Sequence, residues 1–286
     1  MNRILKKVAF CSFLAVLAGL LLLVLGVCFG GHLGMAIDLK EHEVYTEANK
    51  DYIEDTKSLS AFNSISVKGG IQDISIVTGE EYKVEYYLRG SRAPKIEVSD
   101  HTLTLNTKNP ESDIYFGVNF IDFFLEEEKD NYICITVPEN VDLKNVTVNL
   151  EAGDVIILDS SLESVKLDLE AGDLSIENSS IQDVRCILEC GDIKLQNSTF
   201  NNLAGKLENG DFKMISVVAD KLQYESEYGD VKIADSTIDQ IVMKGESSDV
   251  DIRLHGSLND YDLDIVTDDE DVKINGESQG DVIKID

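Results

Sequence analysis

Acidic side chains recur in this 286-residue sequence at an interval that could support metal chemistry. An aspartate stands at every nineteenth position from 154 to 249, and a glutamate stands at every nineteenth position from 151 to 246. Calcium takes about six to eight oxygen ligands, chiefly carboxylates and carbonyls, so stacked rows of acids could bind a row of cations. The sequence therefore offers these candidates for a metal site: Asp154, Asp173, Asp192, Asp211 and Asp230.

The same aspartates also fit a purely structural role in turns. Each directly follows a glycine, which adopts a left-handed backbone at no steric cost, and aspartate hydrogen-bonds nearby backbone amides. The spacing of the acids matches neither the nonapeptide calcium repeat nor an EF-hand loop. We therefore expect structural turns and no bound cofactor, with cation binding as the alternative. The turn glycines are Gly153, Gly172, Gly191, Gly210 and Gly229.

Paired carboxylates are also the groups with which glycoside hydrolases work. Those enzymes need two carboxyl groups in different environments, about 5–9.5 Å apart, whereas the acids here repeat identically and no pair stands out. The histidines are scattered and no nucleophile motif accompanies them: His32, His42, His101 and His255. We predict no catalytic residues and a protein that is not an enzyme, with a carbohydrate-active solenoid enzyme as an alternative.

The elements that position these acids are copies of one unit. Residues 150–155, 169–174 and 188–193 are near-identical segments, and three further copies follow without an insertion. Within each unit apolar and polar residues alternate on both sides of the Gly-Asp pair, which is typical of strand, turn and strand. Apolar residues keep the same place in every copy, so neighbouring units must stack to bury them. The repeat predicts an all-β fold, a single-stacked β-solenoid with 19-residue coils, preceded by one amino-terminal transmembrane helix.

An apolar segment precedes the repeats. Between residues 8 and 31 the only polar side chain is Ser12, and a helix of that length crosses the ~30 Å hydrocarbon layer at ~1.5 Å per residue. Arg3, Lys6 and Lys7 precede the segment and acids follow it. This charge distribution predicts a single-pass anchor in the cell membrane, with the amino terminus in the cytoplasm and the carboxy-terminal domain outside the cell. Cleavage as a signal peptide near Gly34 is the alternative.

Charge is distributed unevenly about this segment. All 54 acidic residues lie beyond it with 25 − 3 = 22 basic residues, so the outer part carries 22 − 54 = −32. Such a surface repels nucleic acid and favours cations or basic partners, which excludes nucleic-acid binding. The three outer cysteines, Cys134, Cys186 and Cys190, cannot all pair and have no metal-binding spacing.

These patterns divide the chain into parts. Upstream of the regular copies, apolar and polar residues still alternate, but the segments differ in length. Downstream, the interval between equivalent positions becomes longer than 19 residues. The predicted parts are a cytoplasmic basic tail at 1–7, a transmembrane helix at 8–31, a juxtamembrane stalk at 32–59, degenerate amino-terminal β-coils or a cap with an aromatic insertion at 60–145, the regular β-solenoid at 146–254, and carboxy-terminal coils and a cap at 255–286.

Two further features could contact partners. The aromatic segment at 114–125 either closes the amino-terminal end of the solenoid core or forms an exposed loop for a partner or the membrane. Its phenylalanines are Phe116, Phe120, Phe123 and Phe124. Gly26, Gly30 and Gly34 have the GxxxG spacing with which membrane helices associate, so a homodimer through the transmembrane helix is a candidate assembly.

Several short segments carry a resemblance to a known family: FNSISV at 62–67, DISI at 73–76, ICITVP at 133–138 and the recurrent Gly-Asp-apolar-x-apolar turns. Over roughly residues 60–286 the sequence resembles the bacterial putative-adhesin family of membrane-anchored β-strand-repeat proteins, and also LiaG-like proteins of Gram-positive envelope-stress operons. The resemblance implies surface exposure, adhesion or envelope sensing, and envelope or cell-surface proteins or glycans as partners. We therefore expect a non-enzymatic, membrane-anchored surface solenoid that acts as an adhesin or envelope scaffold, with an envelope-stress accessory protein as an alternative.

Overall fold

The computed structural model describes residues 52–89, 93–107, 131–268, 272–279 and 282–285, the backbone of 34–38, 43–46 and 113–117, and the isolated positions Val16 and Gly19. The chain divides into two compact units, one formed by residues 1–51 and 110–129 and the other by residues 52–109 and 130–286. Within the described ranges no helix is both long and apolar enough to cross a membrane. The predicted span at 8–31 lies outside those ranges except at the two isolated positions.

The first unit contains a three-stranded antiparallel sheet. Its strands are β1 (Gly34–Asp38), β2 (Glu43–Thr46) and β9 (Asp113–Gly117), with β1 in the middle. Gly34 therefore opens a strand. Phe116 lies in β9, where its backbone pairs with that of Met35. Phe120, Phe123 and Phe124 lie outside the described residues.

The second unit is built from coils that each contain one long strand and one short strand. The long strands are β11 (Leu143–Ala152), β13 (Ser161–Ala171), β15 (Ser180–Cys190), β17 (Thr199–Asn209) and β19 (Val218–Tyr228). The short strands are β12 (Val155–Leu158), β14 (Leu174–Glu177), β16 (Ile193–Gln196) and β18 (Phe212–Ile215). In the next coil both merge into β20 (Val231–Ser247).

Each strand pairs in parallel with the equivalent strand 19 residues further on. Val146 lies opposite Val165, which lies opposite Val184, and Val155 lies opposite Leu174 in the same way. Two parallel sheets result, which we call the long-strand sheet and the short-strand sheet, and the chain passes from one to the other at every turn. The structure has about seven turns and confirms the predicted all-β solenoid with ~19-residue coils.

The core lies between the two sheets. Alternate residues of each strand point inward, as the period of two requires, and they are almost completely buried, as with Val165, Leu169 and Ile176 at 0% exposure. At one inward-facing position the size of the side chain changes from coil to coil. Gly205 leaves room for the ring of Tyr224, from which a Cβ at this glycine would lie 3.1 Å away, and that ring packs 4.2 Å from the ring of Phe212.

The amino-terminal strands of this unit continue both sheets. They are β3 (Tyr52–Ser58), β4 (Ser64–Ile71), β5 (Asp73–Gly79), β6 (Lys83–Arg89), β7 (Lys95–Ser99), β8 (Thr102–Asn106) and β10 (Tyr132–Pro138). β4 pairs in parallel with β11 and β5 with β12, so one coil precedes the regular repeat, although its matched positions lie 146 − 65 = 81 residues earlier. Antiparallel pairs β7–β8, β6–β10 and β3–β6 extend the sheets further.

β3 lies within the segment predicted as a stalk, yet it is the outermost strand of the short-strand sheet. Its Asp55 lies opposite Tyr86, whose hydroxyl donates to Asp55 Oδ2 at 3.2 Å. A charged side chain on the inner face of an edge strand discourages pairing with another chain.

The carboxy-terminal strands end the stack, and the last two of them run antiparallel to their neighbours. They are β21 (Val250–Leu254), β22 (Asp262–Thr267), β23 (Val272–Ile274), β24 (Glu277–Ser278) and β25 (Val282–Ile285), with a 3₁₀ turn at Leu258–Asp260. β22 pairs in parallel with β20 at the longer offset of 263 − 241 = 22 residues, and β25 pairs antiparallel with β22. The last parallel strand of the long-strand sheet is thereby covered.

Candidate functional site: the acidic turns

The predicted metal candidates lie side by side in one row along the turns, where Oδ1 of each of the first four accepts the backbone amide of the next aspartate. The amide of Asp173 donates to Asp154 Oδ1 at 2.9 Å, and that of Asp192 donates to Asp173 Oδ1 at 2.8 Å. The same bond joins Asp211 to Asp192 and Asp230 to Asp211, at 2.8 and 2.9 Å. We call this row the aspartate ladder. Hydrogen bonds to an ionised acceptor are among the stronger ones in proteins, so the ladder ties each coil to the next.

The aspartate ladder begins one coil earlier than the repeat suggests. The amide of Asp154 donates to Asp73 Oδ1 at 2.9 Å. Sequence reasoning did not assign Asp73 to this row, because Gln72 replaces the glycine and the first matched coil is far away in sequence. The available signal was the segment DISI at 73–76, which repeats the Asp-apolar-x-apolar order of the later turns.

The predicted turn glycines have positive φ angles between 124° and 144°, a region that side chains rarely adopt. A Cβ built on Gly172 would lie 2.2 Å from the carbonyl oxygen of Gly153, and one on Gly191 would lie 2.1 Å from that of Gly172. Each turn therefore packs its backbone against the turn of the preceding coil. In the last copy Ser248 replaces the glycine, and its hydroxyl lies 3.1 Å from that of Ser226.

The geometry of the ladder is poorly suited to a metal ion. Among the residues that the structure describes, no three His, Cys, Asp or Glu side chains converge closely enough to hold one. In the middle of the ladder one oxygen of each carboxylate is already engaged by an amide, and calcium needs about six to eight oxygens.

The glutamate column lies two residues before the turn glycines, along positions 151 to 246. Lys206 joins two of its members, with Nζ 3.1 Å from Glu208 and 3.3 Å from Glu227. The hydrogen bonds to these carboxylates raise the pKa of Lys206. A single lysine thus bridges two adjacent coils at the surface and reduces the repulsion between stacked acids.

The opposite corner of each coil carries a second row that also ties the coils together. Asp159, Asn178 and Asn197 have left-handed φ angles near 50°, and each precedes a buried serine. The amide of Ser160 donates to Ser179 Oγ at 3.2 Å, and that hydroxyl donates to the carbonyl of Glu177 at 2.8 Å. The serines are buried because the coils stack on one another.

The described cysteines are free and lie in different environments. Cys186 is buried in the core, and burial raises the pKa of its thiol to about 12. Cys134 is half-buried, and burial raises the pKa of its thiol also. Cys190 is exposed at the corner beside the glutamate column. Cys186 therefore has the character of a core residue rather than of a nucleophile.

The outer surface of the long-strand sheet contains a shallow polar cavity. Its volume is about 430 Å³, and its walls include Lys68, Asn149, Asp168, Glu170 and Glu189. Asn149 donates from Nδ2 to Asp168 Oδ2 at 3.3 Å. Carboxylate, amide and ammonium groups therefore meet here at the surface.

Comparison with known proteins identifies a family model and several similar structures. The family model described as Toastrack DUF4097 matches residues 62–282. No curated protein matches the chain significantly. A putative adhesin from Bacteroides fragilis is 15% identical, with a TM-score of 0.45 over 79% of this chain and 96% of the other. A putative lipid binding protein from Parabacteroides distasonis is 11% identical, with a TM-score of 0.47 over 80% and 96%. A putative cell adhesion protein from Clostridium sporogenes is 14% identical, with a TM-score of 0.34 over 68% and 100%.

Proposed function

We propose, from the premise that this chain belongs to the Toastrack DUF4097 family, that it is a non-enzymatic surface protein which presents a β-solenoid as an adhesin or envelope scaffold. The observation that supports this most is the aspartate ladder, in which each bonded carboxylate accepts an amide of the next coil. A hydrolytic pair needs two carboxyl groups in different environments. The repeated acids share one environment and stabilise the stack.

The anchor in this proposal is the apolar segment at 8–31, which would hold the solenoid at the cell membrane. Basic residues precede the segment and acids follow it, so the amino terminus would stay in the cytoplasm and the solenoid would face outward. The net charge of −32 beyond the anchor follows from 22 basic and 54 acidic residues and disfavours nucleic acid as a partner.

The contact surface in this proposal is the outer face of the long-strand sheet, where the polar cavity lies. Glu170 and Glu189 accept hydrogen bonds, Lys68 donates them and Asn149 does both, which suits the hydroxyl groups of a glycan or the polar surface of an envelope protein. Because the strands are hydrogen-bonded in a continuous sheet, these groups are held at fixed spacing. A rigid surface reduces the entropic cost of binding an extended partner.

Protease treatment of intact Gram-positive cells that produce the full chain, tagged at both ends, tests this proposal. The protease should remove the carboxy-terminal tag and leave the amino-terminal tag, and the shaved cells should lose binding to immobilised envelope glycans. The variant Arg3→Glu/Lys6→Glu/Lys7→Glu is the matched control, because it removes the charge bias that sets the orientation. A carboxy-terminal tag that resists the protease until the cells are lysed would contradict the proposed location. Unchanged glycan binding after shaving would contradict adhesion.

A further inference from the structure

The outer face of the short-strand sheet carries a row of lysines in a protein whose net charge is −29. Lys194, Lys213 and Lys232 occupy the same position in three consecutive coils, with neighbouring strands ~4.8 Å apart. Lys194 reaches Glu177 at 2.8 Å. Among the described residues, Lys213 and Lys232 form no ion pair. Lys213 and Lys232 therefore stand next to one another without an ion-pair partner among the described residues, although Asp251 occupies the same position in the coil that follows Lys232.

A row of carboxylates runs beside these lysines. Each lysine follows an aspartate of the ladder by two positions, and the residue between them, such as Phe212, is buried. Lys213 lies on the outer face of β18, and Asp211 is in the turn that directly precedes this strand; both are exposed. The other aspartates of this row are Asp192 and Asp230, and all three are exposed.

We infer that this face is an interface between two copies of the chain. In this dimer the two-fold axis runs parallel to the rows, midway between the lysine row and the aspartate row. The lysine row of each copy then lies opposite the aspartate row of the other. Both copies have the same rise per coil, so all the pairs come into register together. This is the self-complementary pattern that a two-fold interface requires.

The charges also select the orientation of the copies. A two-fold axis perpendicular to the rows would give an antiparallel dimer, with aspartates opposite aspartates and lysines opposite lysines. Repulsion between these like charges disfavours the antiparallel dimer. The inferred dimer is therefore parallel, with equivalent coils of the two copies side by side. It depends on charges in the solenoid and does not require the proposed anchor or the proposed function.

The size of the face and the total charge set the strength of this association. A face four residues wide is smaller than a standard interface of about 800 Å² per partner, so we expect a weak dimer. At ~0.15 M salt the screening length is ~8 Å. Acids of the two copies that lie further apart than this repel each other only weakly, whereas facing charges in contact still attract each other. Higher salt should dissociate the dimer.

Zero-length cross-linking of the full chain in detergent micelles tests the inference. Equal amounts of ¹⁴N-labelled and ¹⁵N-labelled chain are mixed and treated with a carbodiimide, which joins an amine directly to a carboxylate. Mass spectrometry should find mixed-isotope links from Lys213 to Asp211 and from Lys232 to Asp230. Their yield should fall about tenfold between ~0.05 and ~0.5 M NaCl. Links confined to a single isotope would overturn the inference.

Two charge variants make the test specific to the rows. One replaces the lysines (Lys194→Gln, Lys213→Gln and Lys232→Gln), and the other replaces the aspartates (Asp192→Asn, Asp211→Asn and Asp230→Asn), since asparagine keeps the Oδ1 acceptor. Each variant alone should lose self-association in sedimentation, whereas a mixture of the two should regain part of it. Lys166→Gln/Lys244→Gln, on the long-strand sheet, is the control that should associate like the wild type. Equal association of all these proteins would refute the interface.

Discussion

At the scale of single residues, the Gly-Asp turn makes two separate demands on adjacent positions. The glycine must leave space for a carbonyl oxygen of the preceding coil, and the aspartate must accept an amide of the following one. Neither demand depends on a ligand. Both recur at the regular turns because each regular coil meets an equivalent neighbour, which explains why the pair varies so little there, whereas Gln72 and Ser248 replace the glycine in the first and last copies.

Gly191→Ala should destabilise the protein strongly. The φ angle of 138° is unfavourable for alanine, and the new Cβ would lie 2.1 Å from the carbonyl oxygen of Gly172. We expect the free energy of unfolding to fall by more than about 3 kcal/mol, as measured by urea denaturation. The control is Gly245→Ala, where the nearest atoms lie 3.4 Å away and the change should stay within about 1 kcal/mol. Equal effects at the two positions would contradict this account of the turn.

The residue types alone predicted turns at these positions, but not the partners of the aspartates. A local turn would have the carboxylate bond an amide of its own coil, whereas the structure joins Asp192 to the amide of Asp211 in the next coil. That choice depends on how closely the coils stack, which no single unit reveals. For the same reason the sequence did not predict that Asp73 belongs to the aspartate ladder, because its partner Asp154 is 81 residues away.

At the scale of elements, the ends of the solenoid differ from its middle because an open sheet edge can pair with another chain. The structure covers one edge with antiparallel β25 and places the charged Asp55 on the inner face of edge strand β3. The period of two sufficed to predict the regular strands. It could not predict the order of strands at the ends, since antiparallel hairpins and distant parallel pairs have the same alternation.

Ile283→Lys should open the carboxy-terminal edge. Ile283 is 7% exposed and lies opposite Ile265, whereas the adjacent Val282 is 60% exposed. Placing a lysine at the buried position should remove about 2–3 kcal/mol from the free energy of unfolding and increase aggregation, as measured by urea denaturation and light scattering. Val282→Lys is the matched control and should leave both measurements close to wild type. The same loss in both variants would show that β25 does not protect the edge.

At the scale of the whole molecule, the repeated acids have one common consequence. They place a high negative charge on the surface, while the aspartate ladder uses part of that charge to hold the coils in register. The sequence predicted the solenoid because the apolar columns are regular over six copies. The bonding of the carboxylate oxygens could not be predicted in this way, because their partners depend on the stacked coils.

Thermal unfolding of the full chain in calcium and in a chelator tests most directly whether the aspartate ladder is structural. A ligand present at about 100 times its dissociation constant stabilises the folded state by about 2.7 kcal/mol. In a domain of this size that would raise the unfolding midpoint by several degrees. We predict the same midpoint, within about 1 °C, in millimolar calcium and in excess chelator. A midpoint that rises by several degrees in calcium, and falls back when the chelator is added, would contradict the account.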